Sequence, residues 1–226
     1  MAASPVMPKD FYVGRWDQAN IPIKFRGLRL NDYEPSHRTG EVAVDAAKKF
    51  INEFENHYIS SKRAGNGEYP SDRSQIGKGM LFFGRNGTRK STLATAILTE
   101  VQYISPSYKI FYVRFSAWKK ALTATFDRED SERTVLAKKL LTLAEQAHLL
   151  VLDDIGQEHR TTSGFTESEL HEFLRVRYEA AKPTIVTTNI EPDLISNVYN
   201  DSFGSFQHDA FDLYPILGKD TRLSKE

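Results

Sequence analysis

The sequence predicts an α/β fold in which helices flank a parallel β-sheet. Two observations lead to this class. Apolar stretches of strand length alternate with stretches whose apolar residues recur at helical spacing, and the run Leu149–Leu152 is wholly apolar, as expected for a parallel strand buried on both faces. With 226 residues, the chain is long enough to form one such domain with a sizeable core.

The first 80 residues contain one clear helix. Residues 1–40 have four prolines and little periodicity, so we expect an extended N-terminal arm lying on a domain that spans residues 41–226. Glu41–Tyr58 has an apolar and aromatic stripe at helical spacing and predicts an amphipathic helix. The polar stretch Ser60–Gly79 then predicts a loop that leads to the first strand.

The remaining elements alternate in type along the chain. The predicted strands are Met80–Phe83, Tyr108–Phe115, Leu149–Leu152, Thr184–Asn189 and Leu213–Leu217. The predicted helices are one that begins near Thr92, one capped by Ser116 that runs to Phe126, and the segments Asp130–Ala147 and Thr166–Ala181.

Composition narrows the possible functions. The chain has no cysteine, which excludes disulfides, thiolate zinc sites and thiol nucleophiles and fits a reducing compartment. Thirty basic and thirty acidic residues balance, so any contact with nucleic acid must come from a local patch. No apolar run approaches the roughly 20 residues of a membrane-spanning helix, and the N-terminus does not resemble a signal peptide. We therefore expect a cytoplasmic protein.

A phosphate-binding loop of the Walker A type follows the first predicted strand. Residues 84–91 read Gly-Arg-Asn-Gly-Thr-Arg-Lys-Ser, whereas the pattern G-x-x-x-x-G-K-[ST] has glycine where this chain has Arg89. Glycine at such a position often adopts positive φ, which costs a residue with a β-carbon about 1 kcal/mol or more. The sequence therefore predicts a nucleotide site with local strain at Arg89.

Each residue of this loop has an expected role. Backbone N–H groups at the N-terminus of a helix bind phosphate, and the glycines give the backbone the required freedom. Lys90 would reach the β- and γ-phosphates, and Ser91 would bind Mg²⁺. The complete set of predicted nucleotide-binding residues is Gly84, Asn86, Gly87, Thr88, Arg89, Lys90, Ser91 and Thr92.

Two acidic residues end the third predicted strand in Walker B form. Asp153 would hold Mg²⁺, and Asp154 would polarise the attacking water. Taken alone, such a pair could also cap a turn. At the end of the next strand, Asn189, or secondarily Thr188, would orient that water, although an Asn in this place is often only a turn former.

Together these motifs resemble the AAA+ ATPases of the DnaC helicase-loader and IstB transposition-helper family. The matching pieces are residues 21–33, 84–91, 149–156, 177–189 and 218–222. The resemblance implies a five-stranded sheet in the order 5-1-4-3-2, a short or absent C-terminal lid, ATP at a subunit boundary and homo-oligomeric assembly on single-stranded DNA. It also implies that Arg222 is a catalytic arginine that contacts the γ-phosphate.

The chain departs from this family in two further ways. The stretch Phe203–Phe211, where the family carries its arginine finger, has no arginine, which predicts weak hydrolysis because such a finger is worth about 10³ to 10⁵ in rate. Arg175 or Arg177 could substitute, or could lie on a solvated helix face. Only about twenty residues precede the matching region, so we do not expect the domain with which loaders grip their helicase.

Aromatic and basic residues alternate after the second predicted strand. Arg114, Phe115, Trp118, Lys119 and Lys120 could bind single-stranded DNA by base stacking and phosphate pairing. The alternative is that the aromatic residues belong to the core and the lysines to a solvated face. Tyr112 belongs to the same alternating run, and Lys138 and Lys139 are weaker candidates for the same track.

The sequence thus predicts an ATP- and Mg²⁺-dependent protein of bacterial or phage DNA replication. Its expected partners are single-stranded DNA and a hexameric replicative helicase. Two alternatives remain open: a transposition helper that works with a transposase, and an interaction module that binds nucleotide without hydrolysing it.

Overall fold

A five-stranded, fully parallel sheet forms the centre of the molecule. The computed structural model describes residues 9–126, 131–156, 164–199, 201–218 and 220. The strands are β1 (Gly79–Phe83), β2 (Ile110–Arg114), β3 (Leu149–Ile155), β4 (Thr184–Thr188) and β5 (Phe211–Pro215). Their spatial order is β2-β3-β4-β1-β5. Read from the opposite edge this is 5-1-4-3-2, so the predicted α/β fold and sheet order are confirmed.

Helices cover both faces of the sheet. They are α1 (Lys9–Gln18), α2 (Arg38–Asn52), α3 (Phe54–His57), α4 (Ser61–Gly65), α5 (Lys90–Ile104), α6 (Phe115–Ala124), α7 (Glu132–Gln146), α8 (Phe165–Glu179), α9 (Pro192–Val198) and α10 (Asp201–Ala210). Short 3₁₀ turns occupy Ile23–Phe25, Leu30–Asp32 and Arg73–Gln75. Within this described part of the chain, no helix is long and apolar enough to cross a membrane.

The two faces of the sheet build two apolar layers. Because side chains alternate along a strand, Phe82 joins the layer formed with α2 and α5, whereas its neighbour Leu81 joins the layer formed with α6, α8, α9 and α10. Strands β1 to β4 are nearly fully buried in their centres, whereas the edge strand β5 is buried only at Phe211. This explains why β3 reads as a continuous apolar run rather than an alternating one.

The N-terminal segment departs most from its prediction. Residues 1–40 were expected to be extended, but α1 and two 3₁₀ turns lie within them, and α2 begins at Arg38 instead of Glu41. The side chain of His37 caps α2, since its Nδ1 accepts a hydrogen bond from Thr39 N at 3.1 Å. After α2, the predicted continuous helix breaks at Glu53 and resumes only as the single turn α3.

Residues 19–37, which we call the strap, wrap around the domain. At one end the carbonyl of Ala19 accepts a 2.9 Å hydrogen bond from Tyr112 N, and Asn20 Nδ2 donates to the carbonyl of Tyr112. In its middle, Arg29 makes a salt bridge of 2.7 Å with Glu100 on α5. The apolar side chains of the strap are buried under α5: Ile21, Phe25 and Leu30. The strap therefore covers the β2 edge of the sheet and then crosses α5.

A buried arginine ties α7, α8 and β4 together. Arg177 is completely buried, and burial lowers its pKa to about 9. Its guanidinium donates hydrogen bonds of 2.7 to 3.0 Å to the carbonyls of Ala144, Glu145, Ala147 and Pro183 and to the hydroxyl of Thr184. Arg177 is therefore a structural residue and cannot serve as a substitute arginine finger. Arg175 is exposed and lies 5.6 Å from the ring centre of Phe206 on α10.

Candidate nucleotide site

The loop between β1 and α5 has the backbone geometry of a phosphate-binding loop. Gly84 has φ of 142° and Gly87 has φ of 79°, both in the region that favours glycine. A β-carbon on Gly84 would collide with the carbonyl oxygen of Ile216, and one on Gly87 would collide with the carboxylate of Asp220. The backbone clash requires glycine at position 84, and the positive φ favours glycine at position 87.

Arg89 occupies the strained position that the sequence predicts. It is the N-cap of α5 and has φ of 67° and ψ of 24°, the left-handed conformation. Its guanidinium donates a 3.2 Å hydrogen bond to the carbonyl of Glu34 and lies 5.3 Å from the centre of the Tyr33 ring. Burial raises the pKa of Tyr33, which stays neutral. The side chain that causes the strain thus also fastens the loop to the strap.

The loop lysine is folded onto its own loop. Lys90 Nζ donates hydrogen bonds to the carbonyls of Gly84 at 2.7 Å and Arg85 at 2.8 Å, and the residue is buried. To reach a phosphate, Nζ would exchange these carbonyls for phosphate oxygens. Thr88 also stabilises the loop, because its hydroxyl donates to the carbonyl of Arg85 at 2.9 Å.

The first Walker B carboxylate is held by two hydroxyl groups. Asp153 is buried at the end of β3, where its Oδ2 accepts a 2.6 Å hydrogen bond from Tyr112 and its Oδ1 accepts one of 2.7 Å from Thr187. Burial raises the pKa of Tyr112 well above its usual value, and the charge of Asp153 raises it further. Tyr112 is therefore a permanent donor to Asp153.

A bulge brings the second carboxylate to the same side. Successive residues of a strand point to opposite faces, so Asp153 and Asp154 would normally diverge. The β3–β4 register shifts between Leu152 and Ile155, and Asp154 has φ of 67°. Its backbone N–H donates a 2.9 Å hydrogen bond to the hydroxyl of Thr187. Bulges re-aim side chains in this way beside many functional sites, and here Asp154 becomes exposed.

These elements enclose one cavity, which we call the P-loop cavity. Its volume is about 510 Å³, within the range of small-molecule sites. The wall consists of Lys24, Phe25, Asn86, Gly87, Arg89, Lys90, Ser91, Thr92, Arg114, Ser116, Asp153, Asp154 and Thr187. Four of these side chains are cationic and two are anionic, so the wall favours a polyanion.

The structure brings together most of the predicted nucleotide and metal residues. Ser91 and Asp153 supply a hydroxyl and a carboxylate to the same cavity, which are the oxygen ligands that Mg²⁺ prefers. Gly84 and Thr88 shape the loop but are outside the wall. The donor set thus fits a magnesium–phosphate ligand, and no rearrangement of the backbone is needed to gather it.

The polar residue that β4 contributes to the cavity is Thr187. Asn189, the predicted water-orienting residue, is exposed and outside the wall, and Thr188 is buried with its hydroxyl donating to the carbonyl of Ile155 at 2.9 Å. Alternation along β4 could have indicated that neighbouring threonines diverge, but the choice between them depends on the β3 bulge. Arg222 lies outside the described residues.

The candidate DNA residues do not form one surface. Phe115 and Trp118 are buried, with ring centres 5.6 Å apart, and Trp118 packs on Phe173 at 5.3 Å. Both are core residues in this structure and are not available for base stacking, which corrects their proposed role. Tyr112 is likewise buried, whereas Arg114 is exposed in the wall of the P-loop cavity. Exposed or half-exposed lysines remain on α6 and α7: Lys119, Lys120, Lys138 and Lys139.

The sheet order, the loop after β1 and the paired acids at the end of β3 define the fold of the AAA+ P-loop proteins. No protein-family model and no curated protein matches the sequence significantly. Among solved structures, the chain is similar to a DnaC helicase loader, with a TM-score of 0.66 and 18% identity over 87% of this chain and 100% of that one.

Two other similarities concern the same fold. A DnaI structure matches with a TM-score of 0.61 and 16% identity, covering 88% of this chain and 93% of that chain. A replication initiator DnaA bound to AMPPCP and single-stranded DNA matches with a TM-score of 0.63 and 14% identity, covering 88% of this chain and 51% of the initiator. At these identities the similarity establishes the fold.

Proposed function

We propose that this protein is an ATP-binding AAA+ protein of DNA replication, acting as a helicase loader that assembles on single-stranded DNA. The observation that carries the proposal is the P-loop cavity, in which a phosphate loop, a serine hydroxyl and two strand-end carboxylates share one wall of net positive charge. The fold similarity to a helicase loader and to an initiator bound to a nucleotide analogue supports the same role.

The residues of the cavity divide the chemistry between them. Loop N–H groups and Lys90 would bind the phosphates, while Ser91 and Asp153 would hold Mg²⁺, which supplies charge neutralisation at the phosphate oxygens. Asp154 would orient and polarise the attacking water. Thr187 positions both acids through hydrogen bonds of 2.7 and 2.9 Å. Asn189 and Arg222 remain candidates for completing the site around bound ATP.

The proposed biological role includes partners. By resemblance to the loaders, the protein would act in the cytoplasm of a bacterium or an infected host cell, oligomerise on single-stranded DNA and engage a hexameric replicative helicase. Phe115 and Trp118 are buried and cannot stack on bases. DNA binding would therefore depend on basic side chains such as Lys119 and Lys120, which predicts strong salt dependence.

Nucleotide binding is tested by titrating the protein with fluorescent ATP and Mg²⁺. Lys90→Ala should abolish binding, whereas Lys138→Ala, which removes an exposed lysine on α7 outside the cavity, should bind as the unaltered protein does. Absence of binding at millimolar ATP would reject the proposal. DNA binding is tested separately, and a preference for duplex DNA with capture of a transposase would favour the transposition-helper alternative.

A nonhydrolysing module is the second candidate. The left-handed conformation of Arg89 and the absence of arginine from the sequence of α10 both favour it. Phosphate release by the unaltered protein and by Arg89→Gly separates the two: turnover that appears only in the glycine form supports the second candidate, and equal turnover in both forms rejects it.

A further inference from the structure

Arg114 lies where a second cation could meet the end of a bound triphosphate. It is the last residue of β2, and its Cα pairs in register with Asp153 of β3. Its side chain is exposed and belongs to the wall of the P-loop cavity. It therefore shares a compartment with Lys90 and Ser91, although it follows them in the chain by more than twenty residues and comes from another strand.

The two cations that the phosphate loop contributes to the wall already donate hydrogen bonds to protein carbonyls. Arg89 donates to the carbonyl of Glu34, and Lys90 donates to two loop carbonyls. Arg114 forms no salt bridge with any carboxylate in the described part of the chain. Arg114 hydrogen-bonds to the side chain of Tyr112, whose hydroxyl in turn donates to Asp153. Because the Tyr112 hydroxyl is neutral, this contact leaves the positive charge of Arg114 available to an anionic ligand.

The order of groups along the cavity indicates which part of a nucleotide would meet this charge. The loop N–H groups and Lys90 belong to β1 and α5, and the acids end β3, which is separated from β1 by β4. Arg114 ends β2, one strand further out. A phosphate chain anchored at the loop and directed toward the acids would approach Arg114 with its terminal phosphate, whereas the inner phosphates stay at the loop.

We propose that Arg114 contacts the terminal phosphate of ATP bound in the same subunit. This inference rests on the proposed function, because it assigns a residue within the same cavity. Arginine stays charged at all physiological pH values and binds phosphate oxygens with paired N–H donors. Arg114 would thereby make the site selective for the triphosphate over the diphosphate and would supply, from within the subunit, positive charge that α10 does not provide.

Competition of ATP and ADP against a fluorescent nucleotide tests the inference. We expect Arg114→Ala to lower ATP affinity at least about tenfold, as for loss of a hydrogen bond between charged groups, and to change ADP affinity less than about twofold. Arg114→Lys should retain part of the preference. Arg133→Ala removes an exposed arginine on α7 outside the cavity and should match the unaltered protein. Thermal unfolding confirms that each variant is folded.

The outcomes separate the inference from the proposed function. If the unaltered protein binds no nucleotide, the proposed function fails. If it binds ATP but Arg114→Ala loses ATP and ADP equally, or neither, the assignment of Arg114 is overturned. An unchanged preference for ATP combined with weaker, salt-sensitive binding of single-stranded DNA would also overturn it and would make Arg114 a DNA contact.

Discussion

The hydroxyl of Tyr112 donates a 2.6 Å hydrogen bond to Asp153, from the edge strand β2 to the neighbouring strand β3. Both residues are buried, so this bond links an apolar layer directly to the polar cavity. The bond explains why β2 has a tyrosine, whereas its other buried residues are aliphatic or phenylalanine. The ring fills the core beneath α5, and its hydroxyl reaches the carboxylate.

Removal of that hydroxyl should destabilise the protein measurably. We expect Tyr112→Phe to lower the free energy of unfolding by about 1.5 to 3 kcal/mol, because a buried carboxylate loses one of its two hydroxyl donors. Urea denaturation measures the change. Tyr108→Phe is the control, since its hydroxyl bonds to Glu55 at 3.1 Å on the surface and should cost less. Equal effects of the two substitutions would contradict the special role of Tyr112.

Substitutions of Arg89 should separate backbone strain from side-chain contacts. Arg89→Ala keeps the β-carbon in the left-handed region and loses the contacts with Glu34 and Tyr33. Arg89→Gly loses the same contacts but relieves the strain. We therefore expect the glycine form to be more stable than the alanine form by about 1 kcal/mol, measured by urea denaturation. An alanine form as stable as the glycine form would show that the loop relaxes away from this conformation.

The hydroxyl of Thr187 should contribute to Mg²⁺-dependent ATP binding. Thr187→Val retains the shape of the side chain but removes the donor to Asp153 and the acceptor for Asp154 N–H, whereas Thr187→Ser retains both. We expect the valine form to lose Mg²⁺-dependent ATP binding at least about tenfold and the serine form to stay close to the unaltered protein. Binding titrations at fixed Mg²⁺ measure this. Equal ATP affinity of both forms would contradict a role for the Thr187 hydroxyl in the site.

Arg177 should be among the most sensitive positions for stability. Arg177→Ala removes five buried hydrogen bonds, to four carbonyls and the Thr184 hydroxyl, and we expect a loss of more than about 3 kcal/mol. Arg175→Ala, on the exposed face of the same helix, should cost less than about 1 kcal/mol. Thermal unfolding compares the two, and similar melting temperatures would contradict the structural role of Arg177.

His148 should make the protein less stable in mild acid. Its ring stacks on Tyr58 at 4.4 Å, and its Nδ1 accepts a hydrogen bond from Lys109 N. Burial, and secondarily the charges of Lys109, Lys182 and Arg177, lower its pKa to about 4. In the unfolded chain its pKa is about 6.5, so the unfolded state binds the proton first. Stability due to neutral His148 is complete above about pH 6.5 and is lost as pH falls toward 4.

Unfolding of His148→Gln at several pH values checks this. The variant should lose less stability than the unaltered protein between pH 6.5 and 4, although His57, whose pKa burial also lowers, keeps part of the dependence. An identical pH dependence of both proteins would show that His148 does not contribute.

The loop at Gly84–Ser91 and the acidic pair could be predicted from the sequence because each is a local pattern, whereas the sheet order was implied only by the resemblance to a known family. The contacts of Thr187 with Asp153 and Asp154 accompany a register shift between β3 and β4, which appears only when the two strands are paired. Similarly, the burial of Phe115 and Trp118 follows from packing against α8, since an amphipathic helix with aromatic residues can be read as core or as a stacking surface.

The strap changes where the folded unit that contains the P-loop cavity must begin. It contributes Lys24 and Phe25 to the cavity wall, binds Arg89 through Glu34 and occupies the open edge of β2 through Ala19. A truncated protein starting at α2 would expose an unpaired strand edge, which is a common starting point for aggregation. Such a truncation would also remove one side of the cavity. For biochemical work, the minimal folded unit therefore extends N-terminally at least to Trp16, whose side chain is buried in the same apolar layer as the strap.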